Sequence, residues 1–174
     1  MAERLQEVVQ SVQAARTRVL GAVDGKGQEA LDRRPSPDAW SPGEILHHLL
    51  LMEKAVVRLL ERLIAKAERD GAPPGQHTGS LLGILDSFDV EYSPAHIQAP
   101  EGFKPTPGVA RQELLGGLAE SRATFLELAA RAEHVDLGRV HFPHPVLGLL
   151  DGYQWMLYLG QHELRHLHQM ERIP

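Results

Sequence analysis

The stretch DGYQWMLYLGQHELRHLHQM, residues 151–170, decides how this chain is read. Asp151 followed by Gln154 has the form of a capping box, in which an N-cap side chain and a side chain three residues on satisfy each other's free backbone amides. From that start the apolar residues define an inward stripe of Trp155, Tyr158/Leu159, His162, His166 and Gln169. Polar side chains therefore occupy what should be a core face. His162 and His166 are four residues apart, so they leave one face of the helix a turn apart and can reach a common point. Helical zinc sites use this ligand spacing, with neutral imidazole nitrogens about 2.0–2.1 Å from the metal.

Working outward, Ser41-Pro42-Gly43-Glu44 marks another helix start: a serine N-cap, proline at the first helical position and glutamate three residues after the cap. Its inward stripe is Ile45, His48/Leu49, Met52, Val56, Leu59/Leu60 and Leu63, with Lys54, Arg58, Glu61, Arg62 and Lys66 outside, and it ends at Asp70-Gly71 and Pro73-Pro74. Leu5 to Val23 repeats apolar residues at steps of three and four and stops in Asp24-Gly25-Lys26-Gly27. A further helix is predicted over Val109 to Ala132, opening near Thr106-Pro107, with Leu114, Leu115, Leu118, Phe125, Leu128 and Ala129 as its apolar face. Residues 71–107 hold six of the twelve prolines and cannot form one regular element, although Ser80 to Phe88 can make a short helix over the bundle. A connection this long suggests a lid or a pocket wall. No repeat and no strand-like alternation is present. The expectation is all-α: a single domain over residues 1–174, built as a four-helix bundle with a long irregular connection between its second and third helices.

Hydrophobic residues at 43% and charged residues at 24% place the chain among soluble globular domains rather than disordered or fibrous ones. It has no cysteine, which excludes disulfides, thiolate zinc sites and a cysteine nucleophile. Any metal must be held by His, Asp or Glu. The N-terminus runs straight into an amphipathic pattern and resembles neither a signal peptide nor a membrane span, so a cytoplasmic location is expected. A net charge of -5 without a Lys/Arg block gives no footprint for nucleic acid or an anionic membrane.

Ten histidines are the compositional oddity, five of them in the last 34 residues. Burying three imidazoles without partners costs about 1–3 kcal/mol each, and a shared metal removes that cost. The third ring is assigned to His48, on the stripe of Ile45 and Met52, while His47 is rotated about 100° away. His168 is expected to face solvent, and His77, His96 and His134 stand alone in loops or near helix ends. His141 and His144, in His141-Phe142-Pro143-His144-Pro145, are either loop surface or residues at the rim of the site.

Three blocks carry a family resemblance: Trp40 to Leu49, His144-Pro145-Val146-Leu147-Gly148, and His162 to Gln169. They resemble the DinB/YfiT-like superfamily of metal-dependent enzymes, with its Trp-Ser helix start, a ligand histidine one to two turns later, and a closing His-x-x-x-His-x-x-Gln helix. The blocks fall in order across essentially the whole chain. The resemblance implies an up-down-down-up bundle with one divalent ion, zinc or nickel, bound by His48, His162 and His166. It also implies a homodimer and, among characterised relatives, thiol S-transferases and isomerases that use low-molecular-weight thiols.

Three neutral histidines leave a coordination position for water, the arrangement of catalytic zinc, and such an ion acidifies water or a thiol. Zinc, nickel and iron all accept imidazole. Glu44, one turn before His48, has two readings: a catalytic carboxylate beside the site, or the partner of Ser41 in the capping box. Glu163 and Arg165 are read as surface. Gln169 is positioned to hydrogen-bond a ligand or a backbone group, and Trp40 and Trp155 are read as packing anchors. The expected function is a metal-dependent enzyme of the hydrolase or thiol S-transferase kind acting on a small molecule. The alternative is a non-catalytic metal-containing bundle serving as a binding or stress-response module, its site closed by a fourth protein ligand such as His144 or a carboxylate.

Overall fold

A computed structural model of the chain describes residues 3–75, 79–91 and 98–173. Its long helices are α1 (Glu3–Ala22), α3 (Pro42–Arg69), α4 (Arg111–Ala132) and α5 (Gly152–Glu171), with a five-residue helix α2 (Gln28–Asp32) after α1. Both predicted capping boxes form. The Ser41 hydroxyl accepts from the Glu44 amide while the Glu44 carboxylate accepts from the Ser41 amide, and Asp151 and Gln154 do the same for α5. The third long helix starts later than Thr106-Pro107 suggests, at Arg111, with no side-chain cap of its own. Instead the Arg111 amide donates to Gln28 Oε1 at 2.7 Å, so α2 supplies the missing cap.

The direction of each helix follows from which residues it places at each end of the core. One apolar cluster gathers Val19 of α1 and Val23 just after it, Ile45 to Leu50 of α3, Leu114 and Leu118 of α4, and Leu167 and Met170 of α5. The other gathers Leu5 to Val12, Val56 to Ala67, Phe125 to Ala132, and Tyr153 to Leu159. Helices α1 and α5 therefore run toward the first cluster and α3 and α4 away from it, which is the up-down-down-up order. Two parallel neighbours, α3 and α4, need a crossover of the bundle's full length, and that is why the connection between them is long. The parallel pairs approach closely at glycines. A Cβ on Gly160 would lie 3.1 Å from the Val12 Cα, and one on Gly117 would lie 2.8 Å from a Leu50 methyl.

The connection climbs the outside of α5. A 3-10 turn at Leu82–Phe88 buries Leu85 in the lower cluster, as the short-helix reading of Ser80 to Phe88 anticipates. Further up, Glu91 reaches His168 at 3.1 Å. Before α5, β1 (His141–His144) and β2 (Gly148–Asp151) form an antiparallel hairpin. The sequence reading missed it because each strand has only four residues and three of the eight positions are not exposed, too short a run for alternation to register. Among the described residues no helix is long and apolar enough to cross a membrane.

Candidate metal centre

His48 leaves the second turn of α3 and His162 and His166 leave the C-terminal half of α5, antiparallel to it. The ring centroids lie 5.2 Å apart for His48 and His162, 4.7 Å for His48 and His166, and 4.5 Å for His162 and His166. One nitrogen of each ring lies within 4.8 Å of the other two, and the Nε2 atoms of His162 and His166 are 3.2 Å apart. The three side chains singled out in the sequence thus converge on one point.

The outer nitrogens of His48 and His166 are already engaged. His48 Nδ1–H donates to the Phe103 carbonyl at 2.7 Å, and His166 Nδ1–H donates to Gln169 Oε1 at 2.8 Å. A neutral imidazole that gives its proton outward keeps its other nitrogen as a lone pair, and here those lone pairs face inward. Burial holds all three rings neutral: His48 is shifted down against the pull of the Phe103 carbonyl, His162 lies well below its ordinary value, and His166 is lowered to about 3, with neighbouring rings adding to burial. Buried lone pairs without an opposite charge are the donor set a borderline divalent cation satisfies. The residues present therefore fit such an ion.

Aromatic rings close the surroundings. Trp40 lies 4.9 Å from His48 and 6.1 Å from His166, and Tyr158 stacks on His162 at 5.2 Å. Trp40 is thus a wall of the site as well as a packing anchor, whereas Trp155 sits in the lower core. His162 keeps partial access to solvent, while His48 and His166 are buried. The long connection forms another wall. Besides Phe103 on His48, the Thr106 amide donates to His47 Nδ1 at 2.8 Å, so adjacent histidines hold adjacent parts of the crossover.

The remaining candidates fall in different places. Glu44 Oε2 accepts from the Ser41 amide and Arg34 Nε, and Oε1 accepts from Arg34 Nη2, so both carboxylate oxygens are engaged at the start of α3. Burial pushes its carboxyl up, and Arg34 and Ser41 outweigh this to hold it below its ordinary value. His144 Nδ1 accepts from the Val146 and Leu147 amides, which leaves its proton on Nε2, and its ring meets Tyr158 edge-on at 4.8 Å. It belongs to the rim and is not one of the converging donors. His141 and His134 are exposed, and His77 and His96 lie outside the described residues.

Two readings are corrected. His168 does not simply face solvent; it sits between Glu91 and Glu171. Glu163 is not surface but 3% exposed, in contact with Arg16 and Arg122, which also hold Glu53. Sequence reasoning missed these four, although a signal existed: each follows an apolar stripe residue, Val12, Leu49, Leu118 or Leu159, by four positions.

Fold and site together define a four-helix bundle with a three-histidine cluster between two antiparallel helices. The chain belongs to the DinB superfamily, whose family model matches residues 11–170. It is 26% identical over 159 residues to the uncharacterized protein YuaE of Bacillus subtilis (strain 168), covering 91% of this chain and 92% of that protein. Its fold is similar to that of TT2238, a four-helix bundle protein, with a TM-score of 0.65, 21% identity, and coverage of 96% of this chain and 98% of that one.

Proposed function

We propose that the chain is a metal-dependent enzyme acting on a small molecule, of the hydrolase or thiol S-transferase kind, in which His48, His162 and His166 hold one divalent ion, zinc or nickel. The observation that carries this reading is the convergence of three neutral imidazoles, two of which, His48 and His166, hydrogen-bond outward through Nδ1. When bound, such an ion supplies Lewis acidity to a water or a thiol. The protein's own residues supply the rest. Phe103 and Gln169 fix the tautomers of His48 and His166. Trp40 and Tyr158 cover two sides and keep bulk water from them, and the partly exposed edge of His162 is the side from which a substrate arrives. His144 presents an N–H donor at the rim, suited to a carbonyl or carboxylate of that substrate. Glu44 fixes the start of α3 one turn before His48.

The test is metal analysis of the untagged protein, then screens of the loaded form for hydrolysis and for thiol transfer with low-molecular-weight thiols. Stoichiometric zinc or nickel and turnover that both disappear in His162→Ala are the expected result. Full activity in a metal-free His162→Ala protein would end the reading, and bound metal without turnover in either screen would return the chain to the binding-module alternative. The same proposal includes a homodimer, checked by light scattering against the monomer mass of 19.3 kDa.

A further inference from the structure

Each long helix interrupts its apolar stripe with one charged residue, and the four interruptions meet at one level. Arg16 of α1 lies between Val12 of the lower cluster and Val19 of the upper; Glu53 of α3 lies between Leu50 and Val56; Arg122 of α4 between Leu118 and Phe125; and Glu163 of α5 between Leu159 and Leu167. All four are at most 7% exposed. Arg16 Nε donates to Glu163 Oε1 at 2.8 Å and its Nη2 reaches both Glu53 and Glu163. Arg122 Nε donates to Glu53 Oε1 at 2.7 Å, and Nη2 donates to Glu163 Oε1 at 2.8 Å. Each arginine also ties to the backbone of the opposite flanking helix, Arg16 to the Leu118 carbonyl and Arg122 to the Val12 carbonyl.

We propose that this ionic layer positions the histidine site by setting the register of α5 against α3. The inference rests on the reading that His48, His162 and His166 hold a divalent ion. The carboxylates come from the two helices that carry the histidines, and the guanidiniums come from the two that carry none. Glu53 lies five residues after His48 on α3, and Glu163 directly follows His162 on α5. The two carboxylates are therefore bridged twice, once from each flank, by planar cations whose donors are directional. Apolar packing is non-directional and accepts small slides and rotations of one helix on another. A slide or rotation of α5 that carried Glu163 away from the two guanidiniums would leave buried ions unpaired, which is strongly unfavourable. The same movement would carry His162 and His166 away from His48. The layer thus holds the two histidine-bearing helices to the alignment the site needs, although none of its members touches the site as a ligand. They are positioning residues.

The test uses the full chain, stripped of metal and titrated with Co²⁺ under chelator competition, with the ligand-field absorption recorded. The main variant replaces the whole layer with apolar groups of similar size, Arg16→Met, Glu53→Leu, Arg122→Met and Glu163→Leu together, because complete replacement of a buried ion network is often tolerated where removal of one member is not. The expected result is retained helix content and cooperative melting, with Co²⁺ affinity lower by about tenfold or more, as for loss of groups that orient ligands, and with altered absorption bands. A folded variant with wild-type affinity and spectrum overturns the proposal. If the fourfold variant does not fold, Glu53→Gln decides: affinity lower by about fivefold or more supports positioning, and unchanged affinity overturns it. Glu68→Gln, which removes the exposed ion pair of α3 to Arg131 of α4, is the control; an equal loss there would mean general loosening and would also overturn it. Absence of Co²⁺ binding by the wild-type protein would instead remove the metal-site reading itself, and this inference with it.

Discussion

Two buried polar layers lie next to each other in this bundle and meet the cost of burial in opposite ways. The ionic layer brings two guanidiniums to two carboxylates and closes its charges on itself. The histidine layer brings three neutral rings together, with the protons of His48 and His166 turned outward and one nitrogen of each ring turned toward the others. Neighbouring rings push each other further from protonation rather than compensating. Burial of polar groups alone therefore does not mark a functional site. The difference lies in the balance of charge: the ionic layer is neutral as a whole even though Glu163 Oε2 is buried without a hydrogen-bond partner, whereas the histidine layer gathers lone pairs with no positive group among them, which is the chemistry a cation suits.

The largest expected effect breaks the ionic side of this comparison. Arg122→Ala leaves Glu53 and Glu163 short of one counter-ion and should cost about 3–5 kcal/mol in urea denaturation of the metal-free protein. A loss below about 1 kcal/mol, the scale of exposed pairs, would mean that the layer is hydrated.

Acid acts on the histidine side. Burial lowers His162 and His166 below the ordinary histidine value, so the unfolded chain binds protons first as pH falls. Metal-free stability should be complete above about pH 6.5 and decline below it, by roughly 3 kcal/mol for the two rings together at pH 5.5. An unchanged urea midpoint between pH 7.5 and 5.5 would show that these rings are solvated.

Metal distinguishes the layers directly. Zinc at about a hundred times its Kd should stabilise the wild-type protein by about 2.7 kcal/mol, and His162→Ala should lose that increment while keeping a similar metal-free melting temperature. A zinc-induced shift that survives in His162→Ala would place the ion elsewhere. The smallest effect is expected at Glu44→Gln, which keeps an N-cap partner and loses the ion pair to half-exposed Arg34. It should cost about 0.5–1 kcal/mol and leave zinc affinity unchanged by isothermal titration. A drop in turnover without a drop in affinity would give Glu44 the catalytic role.

Much of this was legible in the sequence because it is written locally. Ser41/Glu44 and Asp151/Gln154 fix helix starts over four residues, and the spacing of His162 and His166 puts two rings on one face whatever the rest of the chain does. Gln169 was readable for the same reason. The hydrogen bond from His48 to Phe103 was not, because its partners are 55 residues apart and meet only through the crossover. The ionic layer lay between these cases. Its members sit on the stripes, but a lone Arg or Glu in an amphipathic pattern reads as surface until its three partners from other helices are known. Likewise the cap on α4 comes from Gln28, 83 residues from Arg111.

The ionic layer also divides the apolar interior into an upper compartment beside the histidines and a lower one running from Leu5 to Leu159. For sequence drift and for engineering, the two are unequal. Volume-conserving exchanges among Val56, Leu60, Ile64 and Phe125 of the lower compartment repack against neighbours that lead away from the site. Changes at Ile45, Leu49 or Leu167 press on the turns that carry the histidines. Heat tolerance can therefore be built into the lower half away from Tyr158, which stacks on His162, while changes in the upper half and at Tyr158 act on the histidine cluster as well as on stability.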